Sequence, residues 1–525
     1  MDPGQLKTPA VAVSIEDMKR ANDEYHLNLS DADLAEYAPL MEGCTASLRR
    51  VLELPEPVLP VKYQRLPGYQ PGDEENEYRA WTWKTEIVGR EDGPLKGARV
   101  AVKDNICVAS APLANGSHLL QYVPTEDATI VTRLLDAGCV LAGKAACEDL
   151  CLSGGSFTSA NGPVRNPLNP TLQAFGSSCG SAVLVAAGEV AMAVAGDQGG
   201  SIRLPSAACG VVGMKPTHGL VPYTGAYGMV AGFDTLGPVT RGVPENARYL
   251  DVMAGKDGLD VRQGGAPAYP VSAAYSTALG NTAEEVYEHV RGLRVGVLQE
   301  GFGVGGPDGL ADGVDDLVRA AVLKLGDKGA VVEEVSVPLH KDGPHIWTAI
   351  AVEQLMMTSY MSGGQVTGMQ GHHCVSSLMQ AASRGMQTPA GTNSLSVTNK
   401  LFIMLGSTVL RKYGGAFAGR AGNQARALRD AYDSALEHCD VLVMPTSPIR
   451  PGPLPPAGAS PAEQIKCALS NIANTAPFNC SGHPAITVPV CADHNGGVGL
   501  MVVGRHWDER TVYRVAHAVQ LLLEK

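Results

Sequence analysis

The chain has 525 residues with 41 Lys and Arg against 53 Asp and Glu, a net charge of −12. An acidic chain with no Lys/Arg-rich block argues against nucleic acid or an anionic membrane as the main partner. Met1 to Arg20 shows no basic segment leading into an apolar one, and no run of 18 or more apolar residues occurs. We therefore expect neither a signal peptide nor a spanning helix, and a cytoplasmic location. The twelve cysteines contain no C-x-x-C pair, which fits reduced thiols better than a disulfide framework or a metal site.

Residues 1–90 read as a helical extension and a candidate dimer contact. Ser14 and Ser30 each precede acidic residues and start one helix apiece. In the second helix Leu34, Tyr37, Met41, Leu48 and Leu52 form an apolar stripe. Pro39 falls inside it and predicts a kink or break. The Pro/Gly-rich stretch from Pro55 to Gly72 reads as a connector.

From Leu95 the pattern becomes α/β. Strands are expected at Arg99–Lys103, Cys139–Ala142 and Val190–Ala195, with further buried strands at Leu293–Leu298, Ala330–Val337 and Val441–Met444. Helices are expected at Ala128–Ala137, closed by Gly138, at Ala182–Ala187 and at Pro244–Met253. This alternation predicts one mixed β-sheet covered by helices on both faces. Residues 91–525 form that catalytic domain, and 340–425, rich in Gly, Ser, Met and Gln, read as a variable part capping the pocket.

Two serine clusters wrapped in glycine stand out, Gly176-Ser177-Ser178-Cys179-Gly180-Ser181 and Gly196-Asp197-Gln198-Gly199-Gly200-Ser201-Ile202-Arg203. Glycine at this density lets backbone N–H groups approach a substrate oxygen. A serine there reads as a nucleophile, and Lys103, leaving the apolar strand Val100-Ala101-Val102, reads as its base. Gly176 to Gly180 also fits G-x-S-x-G, which nominates Ser178. The two prolines of Asn166-Pro167-Leu168-Asn169-Pro170 just upstream argue against the strand that such an elbow needs. No Gly-Lys-Ser/Thr phosphate loop is present, His372 and His373 are adjacent instead of four apart, and no H-E-x-x-H occurs. His218 and His483 are expected to be structural.

The stretch from Gly176 to Thr217, with Ala101-Val102-Lys103-Asp104-Asn105, Ala142-Gly143-Lys144, Leu236-Gly237-Pro238, Pro477-Phe478-Asn479-Cys480-Ser481-Gly482-His483 and Val502-Val503-Gly504-Arg505, resembles the amidase signature family of serine hydrolases. Gln198, the helical extension and Tyr223-Thr224-Gly225-Ala226-Tyr227 resemble its broad-specificity amidases associated with nitrile degradation. Phe175 and Cys179 depart from the small residues usual in the first cluster.

The resemblance implies a catalytic triad of Ser201 as nucleophile, Ser177 as proton relay after a cis peptide, and Lys103 as base. A working base must be uncharged, so burial should depress the lysine. It also implies an oxyanion hole from the N–H groups of Gln198, Gly199, Gly200 and Ser201, and structural support from an Asp197–Arg203 pair. Neither metal nor cofactor is needed. Gln198 is a candidate substrate contact, as are the apolar Leu152, Phe157, Tyr227 and Phe478. The expected reaction is hydrolysis of small neutral aromatic or aliphatic amides to acid and ammonia, by a homodimer. A carbamate hydrolase or a glutamine-hydrolysing amidotransferase subunit is the alternative; a non-enzymatic scaffold is disfavoured by the complete set of Lys103, Ser177 and Ser201.

Overall fold

The computed structural model describes residues 11–271, 274–304 and 313–524; the first ten residues, with which the expected extension begins, lie outside them. The chain divides into a unit up to Leu59 and another from Pro60. In the first, α1 (Ile15–Glu24) and α2 (Asp31–Glu53) each open on a capping box. The Ser14 hydroxyl accepts from Asp17 N at 3.1 Å while the Asp17 carboxylate accepts from Ser14 N at 3.0 Å. Pro39 does not break α2. One missing N–H removes a single rung from a 23-residue ladder, and the capped first turn retains the rest. Along its stripe Leu34 is buried, whereas Tyr37, Leu48 and Leu52 are exposed.

The second unit is built on strands β1 (Trp81–Val88), β2 (Arg99–Lys103), β3 (Val140–Ala145), β4 (Arg165–Asn166), β5 (Asn169–Gln173), β6 (Met192–Asp197), β7 (Val212–Lys215), β8 (Thr235–Thr240), β9 (Arg294–Leu298), β10 (Val331–Val335), β11 (Val441–Pro445), β12 (Ala485–Asp493) and β13 (Gly496–Val503). Eleven form one mixed sheet in the order β1-β3-β2-β6-β8-β7-β12-β13-β11-β9-β10, and β4 pairs with β5 apart from it. Parallel pairs β3-β2-β6 and β11-β9-β10 flank an antiparallel centre.

Helices cover both faces, as the strand alternation requires. Val100, Val102, Met192 and Val194 face one side and pack with α3 (Thr129–Asp136), α6 (Val243–Met253) and helix Glu509–Leu523. Ala101, Ala193 and Ala195 face the other and pack on α4 (Cys179–Ala186). Small residues on that face let α4 lie close to β2 and β6. No helix among the described residues is long and apolar enough to cross a membrane.

Two expectations are corrected. The segment 60–90, assigned to a helical extension, belongs to the sheet unit and carries β1, whose Trp81-Thr82-Trp83-Lys84-Thr85 run has the aromatic and β-branched character of a strand. β10, expected to be buried, is largely exposed, because it is an edge strand paired to β9 alone. Residues 340–425 are mainly helical: Gly343–Gln354, Ser376–Met386, Val397–Tyr413 and the first part of Ala416–His438, with a π-helical turn at Leu355–Tyr360.

Candidate active site

Strand periodicity places Lys103 on the same face as Ala101, toward α4. The residues just before α4 are Gly176 and Ser177, joined by a cis peptide. Lys103 Nζ donates to Ser177 Oγ at 2.8 Å, and both side chains have no solvent exposure. Ser178 is turned away: its hydroxyl donates to Gly196 O at 2.9 Å and accepts from Gly196 N at 3.2 Å. It ties the first serine cluster to the end of β6.

The second cluster follows β6 and enters α5 (Arg203–Cys209). Asp197 organises this turn. Its carboxylate accepts from the N–H groups of Gly200 at 2.9 Å and Ile202 at 3.0 Å. It also takes Arg203 Nε at 3.0 Å and a terminal guanidinium nitrogen at 2.9 Å, with both side chains fully buried. Burial opposes ionisation of Asp197, but the Arg203 guanidinium holds the carboxyl well below the ordinary range. Removing one partner of such a pair leaves a buried charge uncompensated and costs about 3–5 kcal/mol. Asp197→Ala should therefore lower the unfolding free energy read from chemical denaturation by an amount of that order; a value within about 1 kcal/mol of the parent's would show that the pair does not hold the turn.

Carbonyls of the same turn are fastened outward. Trp347 Nε1 donates to Gln198 O at 2.6 Å, Thr475 Oγ1 to Gly199 O at 2.7 Å, Leu204 N to Gly200 O at 2.7 Å and Asn479 Nδ2 to Asp197 O at 3.3 Å. The N–H groups of Gln198, Gly199 and Ser201 have no partner among the described residues, and neither has Ser201 Oγ. One expected oxyanion donor is corrected: the Gly200 N–H is already given to Asp197. Gly200 itself has φ of +132°, and a Cβ there would meet Thr475 Oγ1 at 2.3 Å, so only glycine fits.

These groups border a small pocket lined by Cys151, Leu152, Gly176, Gln198, Gly199, Ser201, Met229, Trp347, Leu469 and Ile472, among others. No Asp, Glu, Lys or Arg is in the lining. Gln198 is held by Nε2 donating to the Tyr223 hydroxyl at 3.0 Å, and its Oε1 has no hydrogen-bond partner. Leu152 lines the pocket; the other three apolar candidates do not. Phe157 sits against Gly155 at a separate surface depression. Tyr227 is buried because its hydroxyl donates to Ser359 O at 2.6 Å. Phe478 packs on Tyr432, ring centroids 4.7 Å apart, in the core beneath β12 and β13.

Sequence reasoning missed Trp347, which comes from helix Gly343–Gln354 and stacks on Phe233 at 6.2 Å. A lone tryptophan in a weakly periodic segment carries no signal of what it will touch. Cys151 was missed too. Its thiol reaches Asn115 Oδ1 at 3.1 Å. Burial acts to raise this thiol, but the Cys147 thiol and Lys103 beside it hold it below the ordinary value. Its backbone φ is +62°, next to Leu150 at +48°.

A family model described as Amidase matches residues 73–513. The chain is 42% identical over 516 residues to an enantioselective amidase of Rhodococcus rhodochrous, covering 96% of this chain and 95% of that one. It is 35% identical over 441 residues to a glutamyl-tRNA(Gln) amidotransferase subunit of Exiguobacterium sibiricum, covering 83% and 86%. Among solved structures it is similar to a peptide amidase from Stenotrophomonas maltophilia, with a TM-score of 0.67 and 28% identity over 82% of this chain and 84% of that one.

Proposed function

This chain belongs to the amidase family and is an amide-hydrolysing enzyme, and we propose that Ser201 is its nucleophile, Ser177 its proton relay and Lys103 its base. The observation that supports this most is the 2.8 Å contact between Lys103 and Ser177 in a fully buried setting, beside the pocket that Ser201 lines. Ser201 Oγ attacks the amide carbonyl as its proton passes to Ser177 Oγ, whose own proton passes to a neutral Lys103 Nζ. The N–H groups of Gln198, Gly199 and Ser201 receive the developing oxyanion. The proton then returns to the leaving nitrogen, ammonia departs, and water cleaves the acyl-enzyme by the same route.

The substrate class we propose is small neutral carboxylic amides, aromatic or aliphatic. An uncharged, mostly apolar lining supports it, and so does the similarity to an enantioselective amidase. Gln198 Oε1, buried and without a partner, is the acceptor available to a substrate N–H. Glutamine carries two charged groups that the lining does not answer, so the amidotransferase role is the weaker reading despite the similarity to such proteins. We also propose a homodimer formed through the apolar residues Tyr37, Leu48 and Leu52 exposed on α2. Twelve cysteines with no C-x-x-C pair favour a reducing compartment, the cytoplasm.

The purified chain should release ammonia from benzamide and short aliphatic amides while leaving glutamine essentially untouched. A preference for glutamine would instead identify an amidotransferase component, and a preference for ethyl carbamate a urethane hydrolase.

A further inference from the structure

Away from the pocket, three segments meet that lie far apart in sequence. Asp433 projects from helix Ala416–His438, His483 follows helix Ala476–Ser481, and His506 lies between β13 and helix Glu509–Leu523. One ligand atom from each side chain lies within 4.8 Å of the other two. His483 Nε2 is 3.0 Å from Asp433 Oδ1 and His506 Nδ1 is 3.6 Å from the same oxygen. Ligands about 2.0–2.1 Å from a tetrahedral zinc ion are ~3.4 Å apart, between those two distances.

The protons on the two rings are placed to suit a cation. His506 Nε2 faces Ser481 O at 3.0 Å, and a carbonyl can only accept, so Nε2 carries the hydrogen. Nδ1 of His506 is turned toward the Asp433 carboxylate oxygen, 3.6 Å away. His483 carries its hydrogen on Nε2 toward Asp433, and its Nδ1 accepts from Ser481 Oγ at 2.9 Å. If a cation takes the Nε2 position, the ring proton moves to Nδ1 and is donated to Ser481 Oγ, with no net loss from the ring. Ser481 thus holds the far nitrogen of both rings, one through its carbonyl and one through its hydroxyl, as outer partners of metal-bound histidines do.

We propose that Asp433, His483 and His506 form a binding site for a divalent transition-metal ion such as Zn²⁺, Co²⁺ or Ni²⁺. Two imidazoles and one carboxylate suit these ions and disfavour Ca²⁺ and Mg²⁺, which want oxygen. The remaining coordination position opens to solvent, because Asp433 is about half exposed while His483 is fully buried. Bound metal would staple the helix end at Ser481 to helix Ala416–His438. Asn479, which bonds Asp197 Oδ1 at 2.8 Å, lies two residues before Ser481. A trio spaced 50 and 23 positions apart forms no local motif, so a sequence pattern that asks for no metal gives no sign of it.

The test uses the full-length chain, reduced and stripped with chelator, titrated with Zn²⁺ by calorimetry. The parent should bind one ion with micromolar affinity and melt a few degrees higher with it. Asp433→Asn, at a half-exposed position, should keep the chelator-treated melting temperature and weaken binding at least ~10-fold, and His506→Gln should do the same. Co²⁺ should give d–d absorption without thiolate charge transfer, since the twelve cysteines are the competing ligands. Equal Zn²⁺ affinity in parent and both variants, no binding by the parent, or a thiolate band that persists in Asp433→Asn would each overturn the proposal.

Discussion

Ser201→Ala is expected to lower kcat by about 10⁴-fold or more while leaving the fold intact. The two halves of that expectation come from one observation. Ser201 Oγ makes no hydrogen bond among the described residues, so its removal strands no buried partner and opens no sizeable cavity. Stability should stay within about 0.5 kcal/mol of the parent's. What is lost is the only hydroxyl of the second cluster at the pocket. The N–H groups of Gln198 and Gly199 remain, so substrate should still bind with nearly unchanged KM. Single-turnover kinetics on benzamide and a thermal melt measure both halves. Turnover above about one per cent of the parent's would remove Ser201 from the nucleophile's role.

Lys103→Met should reduce kcat/KM by about 10³- to 10⁴-fold and flatten the pH–rate profile. Methionine nearly fills the volume of the lysine stem at a position with no solvent exposure, which separates loss of the base from loss of packing. Lys103→Ala should lose the same activity and more stability, since it also opens a cavity. In both variants Ser177 Oγ loses its 2.8 Å partner. A profile with the same shape as the parent's, merely scaled down, would assign the base elsewhere, and pH–rate curves from pH 5 to 10 distinguish the two.

Local sequence pattern made the strands and the serine turns legible, and distance made the rest opaque. Val100-Ala101-Val102 announces a buried strand through its apolar run, and β2 occupies Arg99–Lys103. Ser14 and Ser30 announce helix starts because capping depends on three neighbouring residues. The exposure of β10 was not readable, since being an edge depends on where a strand lands in the sheet order. At the site, the glycines of the second cluster pointed to backbone donors, but which N–H is free turns on the Asp197 carboxylate reaching back to Gly200. Phe157, Tyr227 and Phe478 failed as pocket residues for a related reason. Hydrophobicity ranks a side chain as buried without saying against what, and a core stack such as Phe478 on Tyr432 satisfies it as well as a substrate does.

Trp347 carries two duties at once. Its indole ring is a wall of the pocket, and its Nε1 grips the carbonyl of Gln198. Under the proposed mechanism, shape selection and charge stabilisation are thereby welded to a single side chain. Carving room for bulkier substrates at this wall releases the grip that aims the neighbouring amide, so breadth gained there is taken from speed. The side chains of Leu152, Met229 and Ile472, which also line the pocket, make no hydrogen bond to the turn, and lineages or engineers seeking new acyl groups have freer ground there.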